Sequence, residues 1–231
     1  MIRAILWDID GTLLDFSVSE KAAIRKCFEI FGLGACTDEM VSVYSKINSR
    51  YWRLLEDGKM SKQNILISRF KEFFPLYGID PSISEAFNDE YQLRLSDTVV
   101  FTDGAEEVIN CLHGSVIQCA ASNGTRVAQE GKLRRSGMDR IFEHTFISEN
   151  IGYEKPDPGF FNYVMSALAP VRPEEVLIVG DSLSSDMKGG FNAGIRTCWY
   201  DPQKMPNTTD MTFDHIIADL REVPPIIRMY A

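Results

Sequence analysis

Short, unbroken apolar runs alternate along this chain with segments of helical period, and that alternation leaves few folds open. The runs fall at residues 2–7, 116–121, 144–147, 176–179, 197–200 and, more weakly, 215–218. Helix-like patterns occupy 105–113, 126–136, 158–168 and 185–193. A strand that is apolar throughout, with no polar residue at every second position, is covered on both of its faces. Interleaved with helices, such strands predict an α/β domain built on a parallel sheet. Functional groups in these sheets gather at the carboxyl ends of the strands.

Residues 17–96 have another character. No strand pattern occurs there, but helical periods run through 21–31, 38–56, 61–74 and 83–95. Thr37, Asp38 and Ser61 suit helix N-caps, and Gly32, Gly58 and Gly78 suit helix ends. Four amphipathic helices with short connections predict a four-helix bundle inserted between the first two strands. The expected division is 1–16 with 97–231 for the α/β core and 17–96 for the insert. A chain of 231 residues has room for both, and can bury a core without disulfides or a structural metal. The tail beyond Pro224 carries little pattern.

The net charge of −9 excludes more than it suggests. An acidic surface repels phosphate backbones and anionic lipid, so neither a nucleic acid polymer nor a membrane is an expected partner. The opening run before Asp8 is too short for a signal peptide or a membrane span. Cys27, Cys36, Cys111, Cys119 and Cys198 are odd in number and form no C-x-x-C pair. They read as free, mostly buried thiols in a reducing cytoplasm. His113, His144 and His215 lack metal-ligand spacing.

Four short motifs stand at the ends of four of the runs. Asp8-Ile9-Asp10-Gly11-Thr12 follows the first. Two carboxylates one residue apart in a strand share a face, and their repulsion needs a cation or a shared proton. Read alone, the pair is better taken as an acidic turn capping a helix. Ser122-Asn123-Gly124 ends the second run, where a hydroxyl and backbone N–H groups can hold phosphoryl oxygens or simply make a turn. In Lys155-Pro156-Asp157-Pro158, the proline and aspartate suit a helix start; a cation gains nothing beside a helix N-terminus, a hint of function set against the default of a solvated lysine. Gly180-Asp181-Ser182, with Asp186 following, offers oxygen ligands for Mg²⁺ or, equally, a helix cap.

Taken in order, these motifs resemble the haloacid dehalogenase superfamily, from residue 2 to about 200. The resemblance implies a Rossmann-like, doubly wound parallel sheet with its first strand central and an inserted helical cap of the C1 type at 17–96. It implies Asp8 as nucleophile, through an aspartyl-phosphate, and Asp10 as the acid and base that protonates the leaving oxygen and then activates water. Mg²⁺ is the implied cofactor, held by Asp8, the Asp10 carbonyl, Asp181 and Asp186. Ser122, Asn123 and Lys155 are the implied phosphoryl contacts, and Lys155 also neutralises Asp8.

Within the superfamily, Asp10 favours phosphate esters, because an alkoxide leaving group needs a proton and a halide does not. The expected partner is a small phosphate ester and the expected state a monomer or weak homodimer. Ile47-Asn48, Trp52, Gly58 and Arg69-Phe70 are similar to the bacterial pyrimidine 5′-nucleotidase branch, as are Phe146-Ile147-Ser148-Glu149 and Thr197-Cys198-Trp199. N-acylneuraminate-9-phosphatases share part of this pattern. Nucleoside 5′-monophosphates are therefore the leading substrate class, with sugar-phosphate phosphatase, phosphomutase and a non-catalytic phosphate-binding scaffold as alternatives. Phe16, Asn48, Trp52 and Arg69 are the candidates to stack on, or read the edge of, the leaving group. At helical spacing Trp52 suits the bundle interior better than a base platform, and Arg69 could equally pair with a carboxylate such as Glu72.

Overall fold

The computed structural model describes residues 1–230. Each apolar run forms a strand: β1 (Ala4–Trp7), β2 (Ile117–Ser122), β3 (His144–Ile147), β4 (Val176–Gly180), β5 (Arg196–Tyr200) and β6 (His215–Ile217). All five pairings are parallel, in the order β3-β2-β1-β4-β5-β6. Between β1 and β2 run α1 (Phe16–Ile30), α2 (Asp38–Glu56), α3 (Lys62–Phe73), α4 (Ser84–Arg94) and α5 (Ala105–Leu112). Helix α6 (Arg126–Ser136) leads from β2 to β3, and α7 (Ser148–Ile151) and α8 (Pro158–Ala167) from β3 to β4. Helix α9 (Lys188–Asn192) leads from β4 to β5, and α10 (Val223–Met229) follows β6.

The centre of the sheet is buried on both faces, which is why β1 tolerates no polar residue. Ala4 and Leu6 of β1, Cys119 and Ala121 of β2, and Val176 and Ile178 of β4 share one face. They pack with Phe160, Phe161 and Val164 of α8. Trp7 points the other way, and its indole N–H donates to Gln118 Oε1 at 3.0 Å, so burial leaves no polar atom of the ring unmatched. Strand order reverses between β1 and β4, and the crevice outside the carboxyl ends at such a reversal is where these sheets bind ligands. Asp8 follows β1, and Asp181 follows β4, at that place.

Two elements depart from the sequence reading. The helix expected at 185–193 begins as a π-helical turn, Leu183–Met187, before α9. Both Asp186 N–H and Met187 N–H donate to the Ser182 carbonyl, widening that turn by one residue. The tail also contains α10, whose first turn holds Pro224 and Pro225, where missing N–H groups are harmless.

The chain divides into two compact units, one formed by Met1–Phe16 with the residues from Val100 onward, the other by Ser17–Val99. The second is wholly helical and has an aromatic interior. Tyr44 stacks on Phe70 at 5.2 Å, and Phe87 meets Phe70 and Phe74 edge-on, each at 5.0 Å. A polar chain crosses this interior. Arg69 donates to Asn48 Oδ1 at 2.6 Å and to Asn88 Oδ1 at 3.0 Å, and Asn48 donates to Glu20 Oε1 at 2.7 Å. Ser45 closes on the other Glu20 oxygen.

Asn48 and Arg69 are each 1% exposed, and their polar groups are matched within this unit. That corrects their reading as substrate-facing residues: the α2 and α3 faces that carry them are the inner ones. Glu72, the other partner considered for Arg69, pairs with Arg50. Trp52 is half-buried against Leu55, Ile65 and Leu66, as bundle packing requires. No helix among the described residues is long and apolar enough to cross a membrane.

Replacing Arg69 with leucine removes the cation that offsets the buried Glu20 charge and leaves Asn48 Oδ1 without its donor, while Asn88 Oδ1 keeps Gln92. Such losses cost about 3–5 kcal/mol, so Arg69→Leu is expected to lower the urea midpoint by that equivalent; a change below about 1 kcal/mol would show the network to be dispensable.

Candidate active site

Strand ends and the loops that follow them bring the four motifs of the α/β unit together. Asp8 leaves β1 with its N–H still donating to the Val179 carbonyl at 2.9 Å, so the sheet fixes its backbone. The chain then folds back tightly: Leu13 and Leu14 both donate to the Ile9 carbonyl, and Gly11 donates to Leu14. Gly11 has φ of +98°, and a Cβ there would stand 2.8 Å from Asp181 Oδ2. Only glycine fits both the torsion and the neighbour.

The centre of the arrangement is Lys155. Its ammonium, 1% exposed, donates to Asp8 Oδ1 at 2.8 Å, Asp186 Oδ1 at 2.6 Å and the Ala121 carbonyl at 2.5 Å. These three acceptors use all three of its donors. Its backbone is fixed too: Lys155 N–H donates to Asn123 Oδ1, and Asn123 Nδ2 donates to the Lys155 carbonyl, both at 2.8 Å. The side chain of Asn123, expected among the phosphoryl contacts, therefore clasps the lysine's main chain, with both ends of its amide engaged.

Thr12 was part of the first motif without an assigned role. Its hydroxyl lies 3.2 Å from Asp8 Oδ2 and 3.1 Å from Asp181 Oδ1, tying the β1 loop to the β4 loop. Oxygens of Asp8, Asp181 and Asp186 all lie within 4.8 Å of one another. Trp199 of β5 holds the Asp181 carbonyl at 3.0 Å. Ser122 is buried at the end of β2, with Oγ accepting from Gly124 N–H at 3.0 Å.

Asp10, whose charge is felt at Asp8, has side-chain partners of its own. Its Oδ2 accepts from Gln129 Nε2 at 2.7 Å, and its Oδ1 pairs with Lys132 Nζ at 2.5 Å. Sequence reasoning missed both partners. The only available signal was a Gln-x-x-Lys spacing on one face of α6, which by itself describes any solvated helix. Phe16, considered for stacking, has its ring centroid 5.1 Å from Lys132 Nζ. Arg134 and Arg135, further along α6, are exposed.

Electrostatics explain why so many acids here demand countercharge. Burial pushes the Asp8 carboxyl up to about 7; Lys155 pulls it down, and Asp186 pushes it up again. Asp186 is raised to about 6, by burial first, against the pull of Lys155. Asp181 is raised by the same causes, shielding and then the Asp8 charge, although its solvent-facing side lets water moderate the effect. Burial alone would depress the Lys155 ammonium, but Asp186 and Asp8 outweigh it and hold it above its usual value. Hence one ammonium leaves three crowded carboxylates under-neutralised. An oxygen-only donor set with a charge deficit fits a hard divalent cation such as Mg²⁺.

The family model described as haloacid dehalogenase-like hydrolase matches residues 2–194. The chain is 34% identical over 227 residues to HAD-hydrolase YfnB of Bacillus subtilis, covering 98% of this chain and 96% of that protein. It is 34% identical to pyrimidine 5′-nucleotidase PynA of Streptococcus pneumoniae, covering 90% and 87%. It is 25% identical to pyrimidine 5′-nucleotidase YjjG of Escherichia coli, covering 96% of each. The crystal structure of YfnB, described as bound to magnesium, superposes with a TM-score of 0.91 at 33% identity over 98% of both chains.

The raised carboxyls make the metal-free fold sensitive to pH. Unfolded, Asp8 gives up its proton near the ordinary value of 3.8; folded, it keeps it until about 7. Stability from this group is thus complete below pH 4 and is lost as pH rises through 7. In EDTA at pH 7.5, Asp8→Asn is expected to be more stable than the native protein by on the order of 1 kcal/mol, with the gap closing towards pH 4.5. Thermal unfolding across that range checks the sign.

Proposed function

Because this chain belongs to the haloacid dehalogenase-like hydrolase family, we propose that it is a Mg²⁺-dependent phosphomonoester hydrolase working through Asp8, with nucleoside 5′-monophosphates as its substrate class. The observation that carries this reading is the Asp8 carboxylate gripped by Lys155 and Thr12, with Asp181 and Asp186 oxygens beside it. A nucleophile so held is aimed, and phosphoryl transfer depends mainly on aim and charge stabilisation.

Asp8 would attack phosphorus, and the bond from phosphorus to the ester oxygen would break. The departing electron pair goes to that oxygen, which takes a proton from Asp10. Water then attacks the aspartyl-phosphate, gives its proton to Asp10, and frees Asp8 and inorganic phosphate. Lys155 neutralises Asp8 and the transferring group, and Ser122 with the neighbouring N–H groups receives phosphoryl oxygens. Mg²⁺, held by Asp8, Asp181, Asp186 and the Asp10 carbonyl, supplies further charge neutralisation when bound.

Asp10 supports ester cleavage over dehalogenation, since halide departure needs no proton. Support for nucleotides comes from the two pyrimidine 5′-nucleotidases that match most of the chain. The 17–99 unit we read as the family's cap insert.

Phosphate release should be highest with nucleoside 5′-monophosphates in a panel that includes sugar phosphates and short phosphorylated acids. Isomerised substrate without phosphate release would favour a mutase. Asp8→Asn should lower turnover at least about a thousand-fold. EDTA should abolish activity and Mg²⁺ restore it; chelator-resistant hydrolysis would count against the metal.

Metal binding requires the carboxylates to be ionised, and Asp8 and Asp186 release their protons only around pH 7 and 6. Added Mg²⁺ is therefore expected to raise Tm more at pH 7.5 than at pH 5.5, and equal shifts would contradict the assignment.

A further inference from the structure

Helix α6 contributes two side chains that the mechanism above does not use, and both are directed at the same carboxylate. Gln129 and Lys132 are three residues apart, hence on one face of the helix. Gln129 Nε2 donates to one Asp10 oxygen at 2.7 Å, and Lys132 Nζ donates to the other at 2.5 Å. Gripping both oxygens fixes the plane of a carboxylate as well as its position. Asp10 itself remains 22% exposed, so its grip is on the inner side only.

Neither partner suits a role in packing. Lys132 has 0% of its side chain exposed, and burying an ammonium costs several kcal/mol that a leucine or methionine would avoid. Gln129 is 1% exposed, and its Oε1 has no hydrogen-bond partner among the described residues. Turning the amide over would bring that oxygen against the Asp10 carboxylate, so the orientation observed is the one electrostatics requires. Gly124 also makes way for it: any Cβ there would collide with the Gln129 amide. The centroid of the Phe16 ring lies 5.1 Å from the same ammonium, a cation–π contact that leaves Asp10 as the carboxylate paired with it. Two unfavourable burials converge on one acid, the pattern of a site that gives up stability for function.

We propose that Gln129 and Lys132 are positioning residues for Asp10, holding its carboxyl group where it can pass a proton to the departing ester oxygen. This rests on the phosphohydrolase reading. In the step concerned, the phosphorus–oxygen bond breaks, its electron pair stays on the leaving oxygen, and the Asp10 proton completes the alcohol. How much a substrate depends on that proton is set by its leaving group. An alkoxide needs it; p-nitrophenolate, already stable as an anion, does not.

The test compares kcat/KM, which reports phosphoryl transfer to Asp8 and not the later hydrolysis, for the best alkyl phosphate and for p-nitrophenyl phosphate. In Lys132→Met and in Gln129→Leu, the alkyl-to-aryl ratio is expected to fall about ten-fold or more, within the range positioned acids contribute. A merely structural role would lower both rates together and leave the ratio alone. A ratio within about two-fold of the native one in both variants would overturn the proposal, as would failure of both to fold, which would make the pair a packing element. If the native enzyme released phosphate from neither substrate, the hydrolase reading itself would fall, an outcome distinct from these.

Discussion

One ammonium group organises the α/β unit's chemistry. Lys155 lies on the segment between β3 and β4, yet it reaches Asp8 after β1, Asp186 in the turn after β4, and the carbonyl at the end of β2. Without it, Asp8 and Asp186 would face each other with no countercharge in a medium that strengthens repulsion several-fold over water. With it, each acid has a fixed direction. The buried carboxyls still sit well above their ordinary range, so the site is stable but not at rest, and it retains a demand for further positive charge.

The sheet explains how residues so distant in sequence meet. Parallel order places the ends of β1, β2 and β4 side by side, and the reversal of winding between β1 and β4 opens the space beyond them. Each loop then makes one local adjustment. The tight return after Asp8 requires glycine at 11; the π-helical turn after β4 presents Asp186 to Lys155; Asn123 holds the lysine by its backbone. Rigid strands supply position, and short irregular turns supply direction.

Much of this was legible in the sequence, for identifiable reasons. Buried parallel strands must be apolar at every position, so their runs showed through, and α2 begins and ends where its cap and glycine signals put it. The first, third and fourth motifs stood out only in combination, because each one alone is explained as well by a turn, a solvated lysine or a helix cap. What stayed hidden depends on which way a side chain points. Asn48 and Arg69 look like recognition residues by type, and only their common burial shows them joined to Glu20 and Asn88. Gln129 and Lys132 lie on a helix whose residues are mostly polar, so no apolar stripe identifies the inner face. The π-helical turn departs from helical periodicity by a single residue, too little to alter the pattern.

The central place of β1 has a consequence for how the molecule is made. Of the six strands in this sheet, β1 precedes its two partners in the chain and pairs on both edges, with partners that begin only at Ile117 and Val176. During synthesis from the N-terminus, a wholly apolar strand thus emerges with both edges bare, while the helical insert, whose contacts are local, can already form. Bare apolar edges invite pairing with other chains. The arrangement that puts Asp8 beside the middle strand therefore leaves that strand without both partners until Val176 has been made.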